Sequence, residues 1–235
     1  PWIDCSTVVA THLSEVLQSN AAELVGRQEL QELLDVFAKR QPKVVEELIP
    51  DKLPLGEVLK VVKNLLREHL SVRDLRTILG GLADHVHLTK NPVILSEFVR
   101  QRLSKYICSG LRAPDGQLHV ITLDGSLSDH FRGAITQMDG DFQLNVTPDI
   151  VEGLLGHLEQ ALGEQQMMGR PEVLLVAPEL RRSVYNLLER LLPRLAVISH
   201  KEVAPGVPVT ADATVGGRLV SARLAPGGQM NPGLA

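Results

Sequence analysis

The stretch PEVLLVAPELRRSVYNLLERLL, Pro171 to Leu192, decides the fold class. Its opening, PEVLLVA, is a continuous apolar run of the kind found in strands buried on both faces of a sheet. From Pro178 onward the pattern is helical, so a strand feeds directly into a helix. Downstream, LAVISHKEV (Leu195–Val203) and VPVTADATV (Val207–Val215) read as two further strands. Upstream, TPDIVEGLLGHLEQALGEQQMM is a long helix with Thr147 as its cap and Pro148 at its first position. Gly169 ends it. DFQLNV is a short strand, SLSDHFRGAI a helix, and QLHVITL (Gln117–Leu123) an alternating strand. Strands interleaved with helices make a small α/β unit with a mixed sheet.

Before APDG, Ala113 to Gly116, the texture is helical throughout. DCSTVVATHLSEVL carries a stripe of Val8, Val9, His12, Leu13, Val16 and Leu17. GRQELQELLDVFAKR repeats the pattern with Leu30, Leu33, Leu34 and Phe37, and ends on Lys39 and Arg40 near the favourable pole of the helix. A short helix over Lys43–Leu48 fits between prolines, and PLGEVLKVVKNLLREHL comes next. NPVILSEFVRQRLSKYI has Asn91 as cap and Pro92 at its first position. Short connections predict antiparallel neighbours in a bundle. The fold class is therefore α+β: a helical bundle subdomain, then a small α/β subdomain.

SVRDLRTIL, Ser71 to Leu79, poses a problem inside that bundle. Ser71 as N-cap with Asp74 three residues on resembles a capping box. Arg73 and Arg76 then fall in the first two turns, where the macrodipole disfavours a cation by roughly 0.3–1 kcal/mol each.

Composition narrows the function. The net charge of −4 and pI near 6.1 give no electrostatic footprint for nucleic acid or an anionic membrane surface. Aromatics are only 3%, which argues against stacking platforms for single strands. Cys5 and Cys108 lie too far apart for a zinc spacing and read as free thiols in a reducing compartment. No apolar run approaches the roughly 18 residues that span a bilayer. Asp4 and its polar neighbours take the place of a signal peptide's basic n-region. A chain that starts with proline fits a fragment or a processed protein.

Catalytic constellations fail one by one. His85 and His87, two apart on a helix, do not share a face, and Asp84 adds only one oxygen. His12 on an apolar stripe reads as a packed histidine. Gly80-Gly81 lacks a phosphate-loop context and suits close helix packing or a kink. Gly216-Gly217 reads as a turn. Asp124 at a strand end caps the next helix more readily than it catalyses. Met167-Met168 reads as core packing. No nucleophile elbow, zinc helix or P-loop occurs. No catalytic, cofactor-binding or metal-binding residue emerges.

Four segments carry a resemblance: STVVATHLSEVL, AELVGRQELQELLD, LSVRDLRTIL and PEVLLVAPELRR…LPRLAVISHKEV. In this order and spacing they look like the C-terminal cytoplasmic region of the FlhA/InvA/LcrD (FHIPEP) family, the export-gate proteins of flagellar and virulence type III secretion. VVATHL leans toward the flagellar branch over the virulence branch. The resemblance implies an inner-membrane protein with a spanning N-terminal domain and a cytoplasmic region of four subdomains. That region forms a nine-membered ring that docks export substrates, chaperone–substrate complexes and other export-apparatus proteins, without enzymatic chemistry or cofactor. Residues 1–25 then correspond to the last helix of a preceding subdomain. Residues 26–113 are the helical, ring-building subdomain, 117–216 the α/β subdomain, and 217–235 a flexible tail.

The resemblance also suggests roles. Arg73 or Arg76 pairs with Glu29, Glu32 or Asp35 of a neighbouring ring subunit. The alternative is an ion pair within the chain, to Glu68, Asp74 or a residue across the bundle. Thr7, Val8 and Thr11 line or support a chaperone dock; the alternative is plain helix packing. Two other function classes compete. An α/β enzyme would place its cleft near Asp124 or His200. A nucleic-acid module conflicts with the acidic balance.

Overall fold

The computed structural model describes residues 9–13, 16–17, 20–217 and 219. Thr7, Val8, Cys5 and nearly all of the expected tail lie outside the described residues. The chain divides into two units, Pro1–Ser109 and Gly110–Ala235.

The described residues of the first unit form helices joined by turns, with no strand among them. After helical residues 9–13 and 16–17 come α1 (Ala21–Leu24), α2 (Arg27–Ala38), α3 (Pro42–Glu46), α4 (Leu55–Arg67), α5 (Leu75–His85), α6 (Pro92–Arg102) and α7 (Ser104–Leu111). A one-residue break at Leu103 splits the expected last helix into α6 and α7. α4 and α5 both pack on α6. Val58, Val61, Val62 and Leu65 of α4 meet a core that includes Ile78, Leu79 and Leu82 of α5 and Leu95 and Val99 of α6. Gly81 explains how α5 comes so near: a Cβ there would sit 3.3 Å from Val99 Cγ2. Close helix packing thus accounts for the Gly80-Gly81 pair. A buried polar link runs between α4 and α6, where Asn64 Nδ2 donates to Ser96 Oγ at 3.1 Å and Ser96 donates to the Pro92 carbonyl at 2.6 Å.

The second unit begins with β1 (Leu118–Leu123), α8 (Gly125–Ala134), β2 (Ile135–Met138) and β3 (Asp141–Leu144). It continues with α9 (Pro148–Met167), β4 (Val173–Val176), α10 (Pro178–Leu188), β5 (Ala196–Ser199), a 3-10 turn at His200–Glu202 and β6 (Val209–Val215). The mixture of strand directions is divided between two sheets. β5, β4, β1 and β6 form a parallel sheet in that order, and β2 and β3 form a separate antiparallel hairpin. QLHVITL does not alternate as its sequence suggests: Leu118, His119, Val120 and Ile121 are all buried, because β1 is an interior strand of a parallel sheet. Thr147 occupies the N-cap position of α9 but its side chain makes no capping bond.

The hairpin turns on Asp139-Gly140, both at positive φ (52° and 82°), the geometry of a two-residue hairpin loop. α10 holds the hairpin in place. Arg182 donates to both carboxylate oxygens of Asp141, at 2.9 and 2.6 Å, and Asn186 Nδ2 donates to the Phe142 carbonyl at 2.8 Å. The apolar core of the unit gathers Ile121, Leu127, Phe131, Leu154, Leu158 and Leu174.

Gly216, just after β6, has φ +102°, and a Cβ there would run into the buried Leu127 side chain. Gly216→Ala should therefore destabilise the chain by about 1–3 kcal/mol. Gly156, in the exposed middle of α9 with nothing within 4 Å, should behave oppositely. Its replacement by alanine should stabilise by about 0.5–1 kcal/mol. Urea unfolding midpoints of the two variants would check the pair of signs.

Candidate functional site

The segment between α4 and α5 carries the two arginines singled out by the sequence, and its path is set by three local devices. α4 ends in a Schellman motif, with the Leu70 N–H bonded to the Leu65 carbonyl (2.9 Å) and the His69 N–H to Leu66 (3.0 Å). His69 takes the left-handed position at φ 56°. Leu70 is buried and anchors the segment to the core. Asp74 then caps α5, accepting from the Thr77 amide at 3.1 Å and from the Thr77 hydroxyl at 2.6 Å.

The helix therefore starts at Leu75, not after Ser71. Ser71 Oγ instead accepts weakly from the Arg73 amide at 3.4 Å. The correction has a physical cause. A carboxylate that can reach its own N3 amide is a strong cap, and Thr77 supplies a second donor to it. Arg73 thus lies outside the helix, and the dipole penalty falls mainly on Arg76.

Both arginines are exposed. Neither makes an ion pair among the described residues, because the carboxylates expected for them within the chain are already engaged. Glu68 faces Arg100 at 2.7 Å, with both side chains about 5% exposed or less. Asp74 is held by Thr77.

On α2, the acidic candidates Glu29, Glu32 and Asp35 are exposed. Each has a local neutral partner: Glu29 accepts from the Gly26 amide (2.8 Å), Glu32 from Gln28 (3.2 Å) and Asp35 from Gln31 (2.8 Å). No ion pair joins them to Arg73 or Arg76 among the described residues. Among its described residues the unit thus displays Arg73 and Arg76 without a carboxylate on one segment and Glu29, Glu32 and Asp35 without a cation on another.

Thr11 lies in the helical stretch 9–13 and is exposed. His12 is exposed as well, which overturns its reading as a packed histidine. His85 stacks on Phe98 with ring centroids 4.2 Å apart, and its Nδ1 lies 2.8 Å from the Gly81 carbonyl; His87 is exposed to solvent. No group of three or more histidine, cysteine or acidic side chains among the described residues could hold a metal ion. Asp124 caps α8 through the Ser126 amide at 2.9 Å, and the Ser126 hydroxyl bond holds its carboxyl below the usual range. His200 is exposed. Met167 and Met168 are 83% and 62% exposed, so they are not core residues; α9 ends there, at Met167 with Met168 as its C-cap.

The structure adds one cluster that sequence patterning does not reveal. His119, on β1 and 4% exposed, has a carboxylate on each ring nitrogen: Asp212 on Nδ1 and Asp115 on Nε2, both at 2.8 Å. Its sequence signal is a histidine inside an apolar strand with aspartate four residues before it. The second aspartate cannot be found without the sheet order.

The fold and its segments are shared with known proteins. The FHIPEP family model matches residues 1–208. The flagellar biosynthesis protein FlhA of Escherichia coli K12 is 39% identical over 216 residues, 92% of this chain. The chain spans only 30% of that relative's length. Among solved structures, the Chlamydia pneumoniae CdsV and CdsO protein complex matches with a TM-score of 0.84 at 30% identity, over 91% of this chain and 63% of that one. The nonameric EscV cytosolic domain from the type III secretion system matches with a TM-score of 0.78 at 28% identity, over 91% and 63%.

Two variants probe how the arginine segment is held. Glu68→Ala removes the carboxylate 2.7 Å from the buried Arg100 guanidinium and should destabilise by about 3–5 kcal/mol. Asp74→Ala removes only the cap and should cost about 1 kcal/mol. Denaturant titration of both would test whether the buried pair outweighs the cap.

Proposed function

Because the chain belongs to the FHIPEP family, we propose that it is part of the cytoplasmic ring of a type III export gate, in the flagellar branch. The observation that carries this reading is the family match over residues 1–208 together with the 39% identity to FlhA. The chain would act by assembly and docking, not by catalysis. It would belong to an inner-membrane protein whose spanning part lies outside these residues; no described helix is long and apolar enough to cross a membrane. Its partners would be further copies of itself, chaperones with their secreted substrates, and other proteins of the apparatus.

Within that ring, Arg73 and Arg76 are proposed to meet acidic residues of a neighbouring copy, with Glu29, Glu32 and Asp35 as the candidates. The support is the charge balance inside one chain: among the described residues the arginines have no carboxylate, and these carboxylates have no cation. Guanidinium groups suit such a role because their planar fork takes a carboxylate in two bonds. Thr7, Val8 and Thr11 are proposed to line or support a chaperone dock. Exposed Thr11, beside Val9 at 65% and Leu13 at 55% exposure, is in keeping with a surface that receives another protein.

Two genetic experiments in the native host separate these claims. Deletion of the gene should abolish swimming and the appearance of flagellar proteins in the medium. Loss of effector secretion with normal swimming would move the protein to the virulence branch, and no secretion defect at all would overturn the export-gate reading. The double variant Arg73→Glu, Arg76→Glu in the complete protein should impair ring assembly and export. Restoration by Glu29→Arg with Glu32→Arg would support the pairing, whereas unchanged assembly in the double variant would sink it.

A further inference from the structure

His119 stands where a histidine is forced into one charge state. A neutral imidazole carries a single N–H, yet two carboxylates accept from this ring, Asp212 at Nδ1 and Asp115 at Nε2, each at 2.8 Å. Both bonds exist together only when both nitrogens are protonated. Asp212 reaches the ring through a bulge: Ala211 and Ala213 pair with the consecutive residues Val120 and Ile121, leaving Asp212 as the extra residue of β6. Asp115 comes from the APDG turn, just past the boundary between the two units. That turn is closed by the Ala113 amide on the Gln117 carbonyl and the Gly116 amide on the Ala113 carbonyl, both at 2.9 Å.

We propose that His119 is a proton-operated clasp. It holds the Asp115 turn to the β1–β6 margin of the sheet while its ring is doubly protonated, and frees the turn when Nε2 gives up its proton.

The charged surroundings decide which side opens. Asp212 also accepts from Arg170 Nη1 at 3.1 Å and from Gln165 Nε2 at 3.4 Å. Arg170 is delivered there by the C-terminus of α9, where the Arg170 amide bonds the Gln165 carbonyl at 2.9 Å and Gly169 takes φ +65°. Asp212 therefore keeps its place when the ring is neutral. Among the described residues Asp115 has, besides His119, the Gln117 amide at 2.9 Å, and its side chain is 44% exposed. Once Nε2 carries a lone pair instead of a proton, it repels the Asp115 carboxylate, which water can solvate. The proton passes to a solvent base on that open side. On its other flank β1 meets β4, Val173–Val176, which brings no titratable group.

The hydrogen bond to Asp115, then that to Asp212, outweigh burial and hold the ring's affinity for its proton above the ordinary histidine value. The sign comes from linkage. The clasp contributes its full stability below about pH 6.5, the value for a free histidine, and loses it as pH rises through the higher folded value.

The test is NMR of the whole chain across that window. The His119 ring should titrate above the free-histidine value of about 6.5, and protection of the Gln117 amide against exchange, after correction for the intrinsic rate, should fall through the same titration. Asp115→Asn, at an exposed position, should bring the His119 titration down toward the free-histidine value and flatten the exchange profile. His119→Gln should abolish the step. If His119 titrates at or below the free-histidine value, or if Gln117 protection stays level while the ring titrates, the clasp is refuted. Should His119→Gln fail to fold, wild type and Asp115→Asn alone decide between these outcomes.

Discussion

The buried pair between Glu68 and Arg100 governs what the helical unit presents to its surroundings. A guanidinium taken out of water must have its charge met, and a partner 2.7 Å away in the interior meets it. That commitment has a consequence at the surface. Glu68 closes α4, the helix end from which the Arg73 segment departs, and by sequence it is a natural partner for that segment's arginines. Once it faces inward, Arg73 and Arg76 are left in solvent with no carboxylate among the described residues. The surface charge pattern is thus a product of the interior ion pair, and it is the feature that makes an assembly role physically reasonable for this unit.

The α/β unit uses polar contacts in a similar way, to fix elements that apolar packing alone would leave loose. The β2–β3 hairpin has four residues in each strand and no place in the parallel sheet. An isolated pair of strands is marginal in water. Arg182 and Asn186 of α10 supply the missing specificity by gripping Asp141 and the Phe142 backbone. At the other side, the bulge in β6 turns Asp212 toward His119 and Arg170, linking β6, β1 and the end of α9 through charge-assisted bonds.

Several sequence expectations fail for identifiable reasons. Strand β2 escapes a pattern reading because ITQM continues straight from α8 and has no apolar alternation; the Asp139-Gly140 dipeptide is its hairpin signal. Patterning starts α5 too early because Ser71 fits a capping motif as well as Asp74 does; the side chain that reaches the free amides decides between them. Met167 and Met168 continue the helical pattern past the point where α9 has a core to cover. His12 keeps the spacing of an apolar stripe yet is exposed. Periodicity states which residues share a face and is silent on whether anything lies against it.

The order and type of nearly every element, the division into a helical part and an α/β part, and the family are all written in the linear chain. They come from local propensity, caps, proline and glycine positions, and segments recognisable in their order. The strand order β5-β4-β1-β6, the inward turn of Glu68, and the meeting of Asp115, His119 and Asp212 arise only once the chain is folded. The reason is range. Helix and strand signals arise between residues a few positions apart, whereas His119 and Asp212 are brought together by β6 returning to lie beside β1, a pairing that no local pattern in either segment encodes.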